Sequence, residues 1–257
     1  MGMGTIDFEE PTKVEADYSG GQIQMPLALD ELKERVLDGE IIILKDVWEA
    51  EGLRELRNAI KSWGESNPTR DVHVPYVEES FHRFDRNPDR TEHPRLFHTY
   101  CFYDAIKEEP PVDAAHRLIR PYIEGLHWLH TNLTGIETDL QFYPESPHYH
   151  PQVMHYPSGG GYFGMHQHQF DPNKIGVIGS MSKRGVDYER GGTRFQRGNT
   201  TIDLEYHHDI GDIALFRYDL THSVTPVDPT ENLDWDSDDG RWSLLMPYHG
   251  RVWEGDQ

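Results

Sequence analysis

The change of texture at Gly135 constrains this chain more than any other feature of its sequence. After it, short β-prone stretches follow one another: Thr138–Tyr143, Gln152–Tyr156, Tyr162–His168, Lys174–Met181, Thr193–Gln196, Ile202–Leu204, Ile213–Arg217, Ser223–Val227 and Arg241–Tyr248. Gly, Pro and Asp punctuate them at fairly regular intervals, which predicts an antiparallel sandwich or barrel. Before Gly135 the period is helical. Leu29, Leu32, Val36 and Leu37 mark a first helix, capped by Asp30 and stopped by Gly39. Leu53, Leu56, Ile60 and Trp63 mark a second, closed near Gly64, and Ala114, Leu118, Tyr122, Leu126 and Leu129 a third over 113–134. Glu40-Ile-Ile-Ile-Leu44 reads as a short buried strand. Residues 64–95 are rich in Pro, Asp, Arg and His without a period and predict a long, substrate-covering loop. The expected class is α+β with a mainly β core: a flexible arm over 1–25, then one domain over 26–257, with a helical and loop flank (26–135) and a β core (136–250).

Composition narrows the function. The 257 residues carry 24 Lys+Arg against 45 Asp+Glu, a net charge of −21, which argues against nucleic acid or an anionic membrane surface as partner. A single cysteine, Cys101, excludes an internal disulfide framework and suits a reducing compartment. No run approaches ~18 consecutive apolar residues. The opening MGMGTIDFEEPTKV shows neither a basic n-region nor an apolar h-region, and Ile6 stands where a myristoylation signal wants Ser or Thr. The expectation is a cytoplasmic protein without a membrane partner; a homodimer stays open.

Sixteen histidines are present, so most need a bland reading. His73, His82, His93, His98, His127 and His130 are read as surface or hydrogen-bonded structural residues. The acidic tract Asp234–Gly240 lacks the bidentate Glu of a calcium loop and reads as a solvated connection. His166-Gln167-His168 is different. In a strand, residues i and i+2 share a face, so both imidazoles can reach one cation, and His222 in a later strand can complete a set suited to iron, zinc, copper or nickel. Downstream, Arg241 interrupts an apolar strand with Ser243 on the same face. A guanidinium pointing inward needs an anion, and its planar fork matches a carboxylate. Tyr156, just before the metal strand, can add a donor.

As a set, Tyr156-Pro-x-Gly, His166-x-His168, Ser182–Phe195, Gly211-Asp-x-x-x-Phe216, His222 and Arg241-x-Ser243 resemble the iron(II)/2-oxoglutarate-dependent dioxygenases. The resemblance covers about residues 150–248. It implies a double-stranded β-helix, a jelly roll flanked by N-terminal helices, with His166, His168 and His222 as metal ligands. It further implies Fe(II) with 2-oxoglutarate as cosubstrate, whose distal carboxylate meets Arg241 and Ser243, with Tyr156 nearby, and O2 and a small molecule as the other reactants. Weak substrate candidates are Tyr162, Arg83, Arg86, His98 and Tyr100.

One departure stands out: His168 occupies the position where the family carries Asp or Glu. Three readings follow, of which a three-imidazole site is favoured. The others are an open position, as in the family's halogenases, and coordination by Asp171. Gln167 and Gln169 face away from the ligands, so Asp212 and Asp219 are the expected orienting partners of the imidazoles. Other function classes are a three-His oxygenase acting without 2-oxoglutarate, and a cupin-like binding protein whose metal serves structure alone.

Overall fold

The run Ile41–Leu44 is apolar without alternation because the strand it enters is covered on both faces. The structure, a computed structural model, describes residues 10–67, 69, 79–89, 93–107, 109–138 and 147–249. Strands β1 (Thr12–Glu15), β2 (Asp17–Ser19) and β3 (Gln22–Gln24) precede helix α1 (Leu29–Leu37), strand β4 (Ile42–Lys45) and helix α2 (Ala50–Ser66). Strands β5 (Phe81–Asn87) and β6 (Arg95–Cys101) lead to helix α3 (Ala114–Thr134). Then follow β7 (His148–Tyr149), β8 (Gln152–Pro157), β9 (Tyr162–His166), β10 (Ile175–Ser180) and β11 (Thr193–Arg197). The last are β12 (Thr200–Asp203), β13 (Ile213–Arg217), β14 (Thr221–Val224), β15 (Gly240–Leu245) and β16 (Tyr248–His249).

Twelve strands form one sheet in the order β1-β4-β13-β10-β15-β8-β6-β9-β14-β11-β12, with β5 beside β6. Strands far apart in that order meet face to face. The rings of Phe195 (β11) and Phe216 (β13) lie 4.7 Å apart, and Arg241 (β15) donates to Thr193 Oγ1 (β11) at 2.8 Å. The sheet therefore curls over itself and encloses an interior.

Strand alternation sorts the side chains between two cores. Ile42, Leu44, Ile213, Leu215, Trp242 and Leu244 look outward into a core shared with Leu32 and Val36 of α1, Leu53 and Leu56 of α2 and Ile119 and Ile123 of α3. The intervening Ile43, Ala214 and Phe216 look inward, where they meet Ile178, Phe195 and Ile202. Each such side chain contributes roughly 1.5–3 kcal/mol on full burial, so central strands gain on both faces and need no polar one. Gly176 in β10 is required by contact: a Cβ there would lie 2.2 Å from Phe216 Cζ.

The three helices and the later strands fall close to their expected spans; Thr138–Tyr143 extends beyond the described residues. Four expectations are corrected. From residue 10 onward the supposed arm is tied in: β1 runs parallel to β4, β2 and β3 form a hairpin, and Ile23 is buried. Asp30 does not cap α1; Ala28 holds that position and Asp30 sits in the first turn, where its charge favours the helix dipole. Gly64 does not end α2 but lies in its last turn, two residues before Ser66, and glycine is required there because the Tyr100 ring passes 2.6 Å from where a Cβ would stand. Within 64–95, the described residues include an antiparallel strand, β5, paired along its length with β6. Two of its three buried positions, His82 and Asp85, are polar, with Asp85 accepting from Thr99 Oγ1 (2.7 Å) and Arg83 Nε (2.9 Å), so no apolar alternation marks it.

Buried histidines make this fold sensitive to acid. Burial pushes His130, His155 and His208 down to about 3, whereas in an unfolded chain histidine titrates near 6.5. The preference of the fold for the neutral ring is fully expressed above about pH 6.5 and declines as pH falls toward about 3, because only the unfolded chain takes up those protons. Urea unfolding of the metal-free protein is expected to show stability falling by at least about 4 kcal/mol between pH 7.5 and 5.5, with the other buried histidines adding to these three.

Candidate metal centre

His166 is the last residue of β9 and stands directly opposite His222 of β14, so both imidazoles leave neighbouring strands on the same face. Their ring centroids are 4.2 Å apart. His168 lies beyond the end of the strand rather than within it, yet its ring still comes to 5.0 Å from His166 and 5.2 Å from His222. Tyr218 stacks on its other side at 4.5 Å. One nitrogen from each of the three lies within 4.8 Å of the other two; among the described residues this is the group of His, Cys, Asp or Glu so arranged.

Backbone carbonyls fix two of the rings. His166 Nδ1 lies 2.8 Å from Gly164 O, and His222 Nδ1 lies 2.8 Å from Leu220 O. A carbonyl only accepts, so both Nδ1 atoms carry the proton and both Nε2 atoms keep a lone pair. Asp212 and Asp219 do not orient the ligands as expected. Asp212 is fully buried and accepts from Lys45 Nζ and from the backbone N–H of Asp46 (3.0 Å) and Asp209 (2.7 Å), while Asp219 accepts from Arg217. Asp171, the alternative carboxylate, is 77% exposed and faces Lys174.

Electrostatics suits the cluster to a cation. Burial first, then the other imidazoles, pushes His166 down to about 2 and His168 to about 4; burial pushes His222 to about 4. The rings stay neutral around pH 7 and hold their lone pairs available, as a metal requires. An all-imidazole donor set matches iron, zinc, copper and nickel.

The cluster opens on a cavity of about 190 Å³ whose wall is mainly apolar, including Phe163, Ile178, Phe216 and Val224. Tyr156 and Thr193 also line it. Arg241 is buried behind Thr193 on the inward face of β15; its guanidinium donates to Thr193 Oγ1 and meets no carboxylate within ion-pairing distance among the described residues. Ser243, two residues along the same face, has a buried hydroxyl without a partner among the described residues. Tyr156 is held protonated by burial, with its hydroxyl 3.2 Å from Met154 Sδ.

The weak substrate candidates are not brought to this cavity. Arg83 pairs with Asp85, and Tyr162, adjacent in the strand to the inward Phe163, reaches Pro88 O at 3.4 Å. Arg86 lies 4.3 Å over both Phe84 and Trp235, while His98 and Tyr100 line a separate hollow with His82. Two histidines set aside as structural do approach the site. His93, from the β5–β6 connection, comes within 5.5 Å of His166. His130 of α3 lines the cavity itself. Nothing in the sequence marked His93, but His130 falls on the buried stripe Ile119, Ile123, Leu126, Leu133 at helical spacing. His73 lies outside the described residues.

No family model and no curated protein matches the sequence. Among solved structures, a Pseudomonas putida prolyl-4-hydroxylase aligns over 87% of this chain and 99% of its own, with TM-score 0.55 and 14% identity. The fold is the double-stranded β-helix. A prolyl hydroxylase from Trichoplax adhaerens, in complex with a hypoxia inducible factor oxygen degradation domain peptide fragment, aligns over 86% of this chain and 90% of its own, with TM-score 0.51 and 14% identity. In this double-stranded β-helix the three histidines stand on and just beyond two paired strands, β9 and β14.

Anaerobic titration with a divalent metal is expected to give one site per chain. His166→Ala and His222→Ala should abolish it, and His168→Ala should weaken it more than about tenfold, or ~1.4 kcal/mol. Unchanged affinity in His168→Ala would remove the third imidazole from the ligand set.

Proposed function

We propose that the chain is a non-haem iron(II) oxygenase that consumes O2 and 2-oxoglutarate to oxidise a C–H bond of a small molecule. The observation that carries this reading is Arg241. A buried guanidinium without a carboxylate partner among the described residues lies behind the wall of the cavity that three convergent imidazoles face. An isolated buried charge is costly, and a dianion entering that cavity would offset the cost.

With iron(II) bound, the site would couple oxidation of R–H to R–OH with conversion of 2-oxoglutarate and O2 into succinate and carbon dioxide. His166, His168 and His222 would hold the ion, the first two through orientations set by backbone contact and by stacking on Tyr218. Three neutral ligands leave the bound ion one unit more positive than two imidazoles and a carboxylate would, which favours a dianionic partner. Arg241 would bind the distal carboxylate as a planar fork, steadied by Thr193 Oγ1, and Ser243 would add a hydroxyl now lacking a partner among the described residues. Tyr156, kept protonated by burial, would donate rather than repel. The apolar wall would exclude water and so strengthen each of these interactions.

The all-imidazole donor set favours one other reading, an oxygenase in which the substrate itself binds the metal and Arg241 takes the substrate's carboxylate. Release of succinate during turnover separates the two.

Anaerobic addition of 2-oxoglutarate to the iron-loaded protein is expected to produce a visible charge-transfer band. In Arg241→Ala the apparent 2-oxoglutarate constant should rise two to four orders of magnitude, from a loss of roughly 3–5 kcal/mol. Arg241→Lys should recover part of it, since a point charge cannot reproduce the fork. Iron affinity should stay unchanged in both. Normal 2-oxoglutarate binding with lost affinity for the organic substrate would instead assign Arg241 to the substrate.

A further inference from the structure

The cavity wall carries a fourth histidine besides the three that converge. β10 and β15 are hydrogen-bonded through Gly179–Leu244 and Ser180–Ser243, and there the pairing stops. The other half of β10 continues along β13 alone, from Ile178–Ala214 to Ile175–Arg217. The two strands thus part, and the cavity is lined both by inward residues such as Ile178 and by Ile175 and Val177, whose side chains belong to the helix-side core. Leu245, Met246 and Pro247 line it where β15 ends. His130 of α3 belongs to the same wall.

His130 is 5% exposed, and neither ring nitrogen has a hydrogen-bond partner among the described residues. Tyr149 stacks on it at 4.7 Å and 30°, covering a ring face and leaving the in-plane nitrogens unmet. Buried polar groups are rarely left so, and one lining a cavity calls for a ligand group. Burial keeps the ring neutral, with one nitrogen donating and the other accepting. A carboxylate or an ammonium matches only one of these, whereas a hydroxyl or primary amide can meet either. Ile175, Val177, Leu245 and Met246 give the cavity an apolar wall, into which Gln152 and Asn173 also reach.

We propose that this cavity admits an organic substrate that is apolar along its length, and that His130 receives its neutral hydrogen-bonding head, a hydroxyl or primary amide. The proposal names the substrate class of the oxygenase read above and rests on that reading for the chemistry, though not for the binding. His130 is a specificity-determining residue that takes no part in holding metal or cosubstrate.

The test uses the iron- and 2-oxoglutarate-loaded protein without oxygen and three probes of equal length: 1-octanol, 1-methoxyheptane and octanoate. Displacement of a fluorescent apolar dye reads their affinities, and the iron–2-oxoglutarate absorption band is recorded in the same samples. The wild type should bind 1-octanol about tenfold more tightly than the ether or the carboxylate. His130→Leu should reduce that preference to under twofold, while His130→Gln, whose amide both donates and accepts, keeps most of it. Thermal melts of both variants confirm that they fold. Equal affinity for alcohol and ether in the wild type, or an unchanged preference in His130→Leu, would overturn the proposal. Tighter binding of octanoate would overturn the neutral head. An absent absorption band with the alcohol preference intact would sink the 2-oxoglutarate reading and leave the His130 pocket standing.

Discussion

Covering a sheet on both faces is the constraint on which the rest of this molecule depends. The central strands β4, β10 and β13 carry apolar side chains up and down, so one layer of helices cannot satisfy them. The helices cover the outer face, and the sheet covers the other face by curling over itself. That closure places β11 against β13 and β15, which brings Thr193 to Arg241 and Phe195 to Phe216. A polar group can then be presented to an enclosed space only where a strand directs it inward, and Arg241 and Ser243 occupy such positions. The cavity follows from the way hydrophobic burial closes the sheet.

The histidine cluster sits where this closure is least regular. His166 ends its strand, His168 lies past that end, and the pairing of β9 with β14 shifts register between His222 and Val224. Regular pairing would hold alternate side chains at fixed spacing along parallel lines. Fraying at this end lets three rings turn toward one another, and backbone carbonyls at Gly164 and Leu220 then lock two of them. The orienting acceptors belong to the chain segments bearing the ligands, so the geometry of the pair is set locally by the strands themselves.

Much of this was legible in sequence, for identifiable reasons. Turn residues punctuate the later strands, and helical spacing marks all three helices, so those elements emerge with small shifts at their ends. The β5–β6 pair stayed hidden because polar residues, Asp85 with Thr99 and His82 with His98, stand among its buried positions and satisfy one another in pairs, which breaks the alternation of apolar with polar. The i, i+2 spacing brought His166 and His168 together, although the strand supporting that logic stops one residue short of Gln167. Carboxylates were the expected second partners of the imidazoles, yet Asp212 ties β4 to the turn before β13 instead. Its partners are distant in sequence or lie in the backbone, and no spacing rule connects them.

A cluster of three neutral nitrogens has a consequence for the identity of its ion. Replacing a carboxylate with imidazole removes the hard anionic oxygen that helps a site retain ions such as manganese or magnesium. The remaining preference follows the intrinsic order of divalent ions, which rises from iron through cobalt and nickel to copper. Affinity alone would therefore hand such a site to iron's competitors. The occupant is then set by which ions the surroundings supply. An imidazole rather than a carboxylate at one strand end thus shifts part of the chemistry of selection from the protein to its environment.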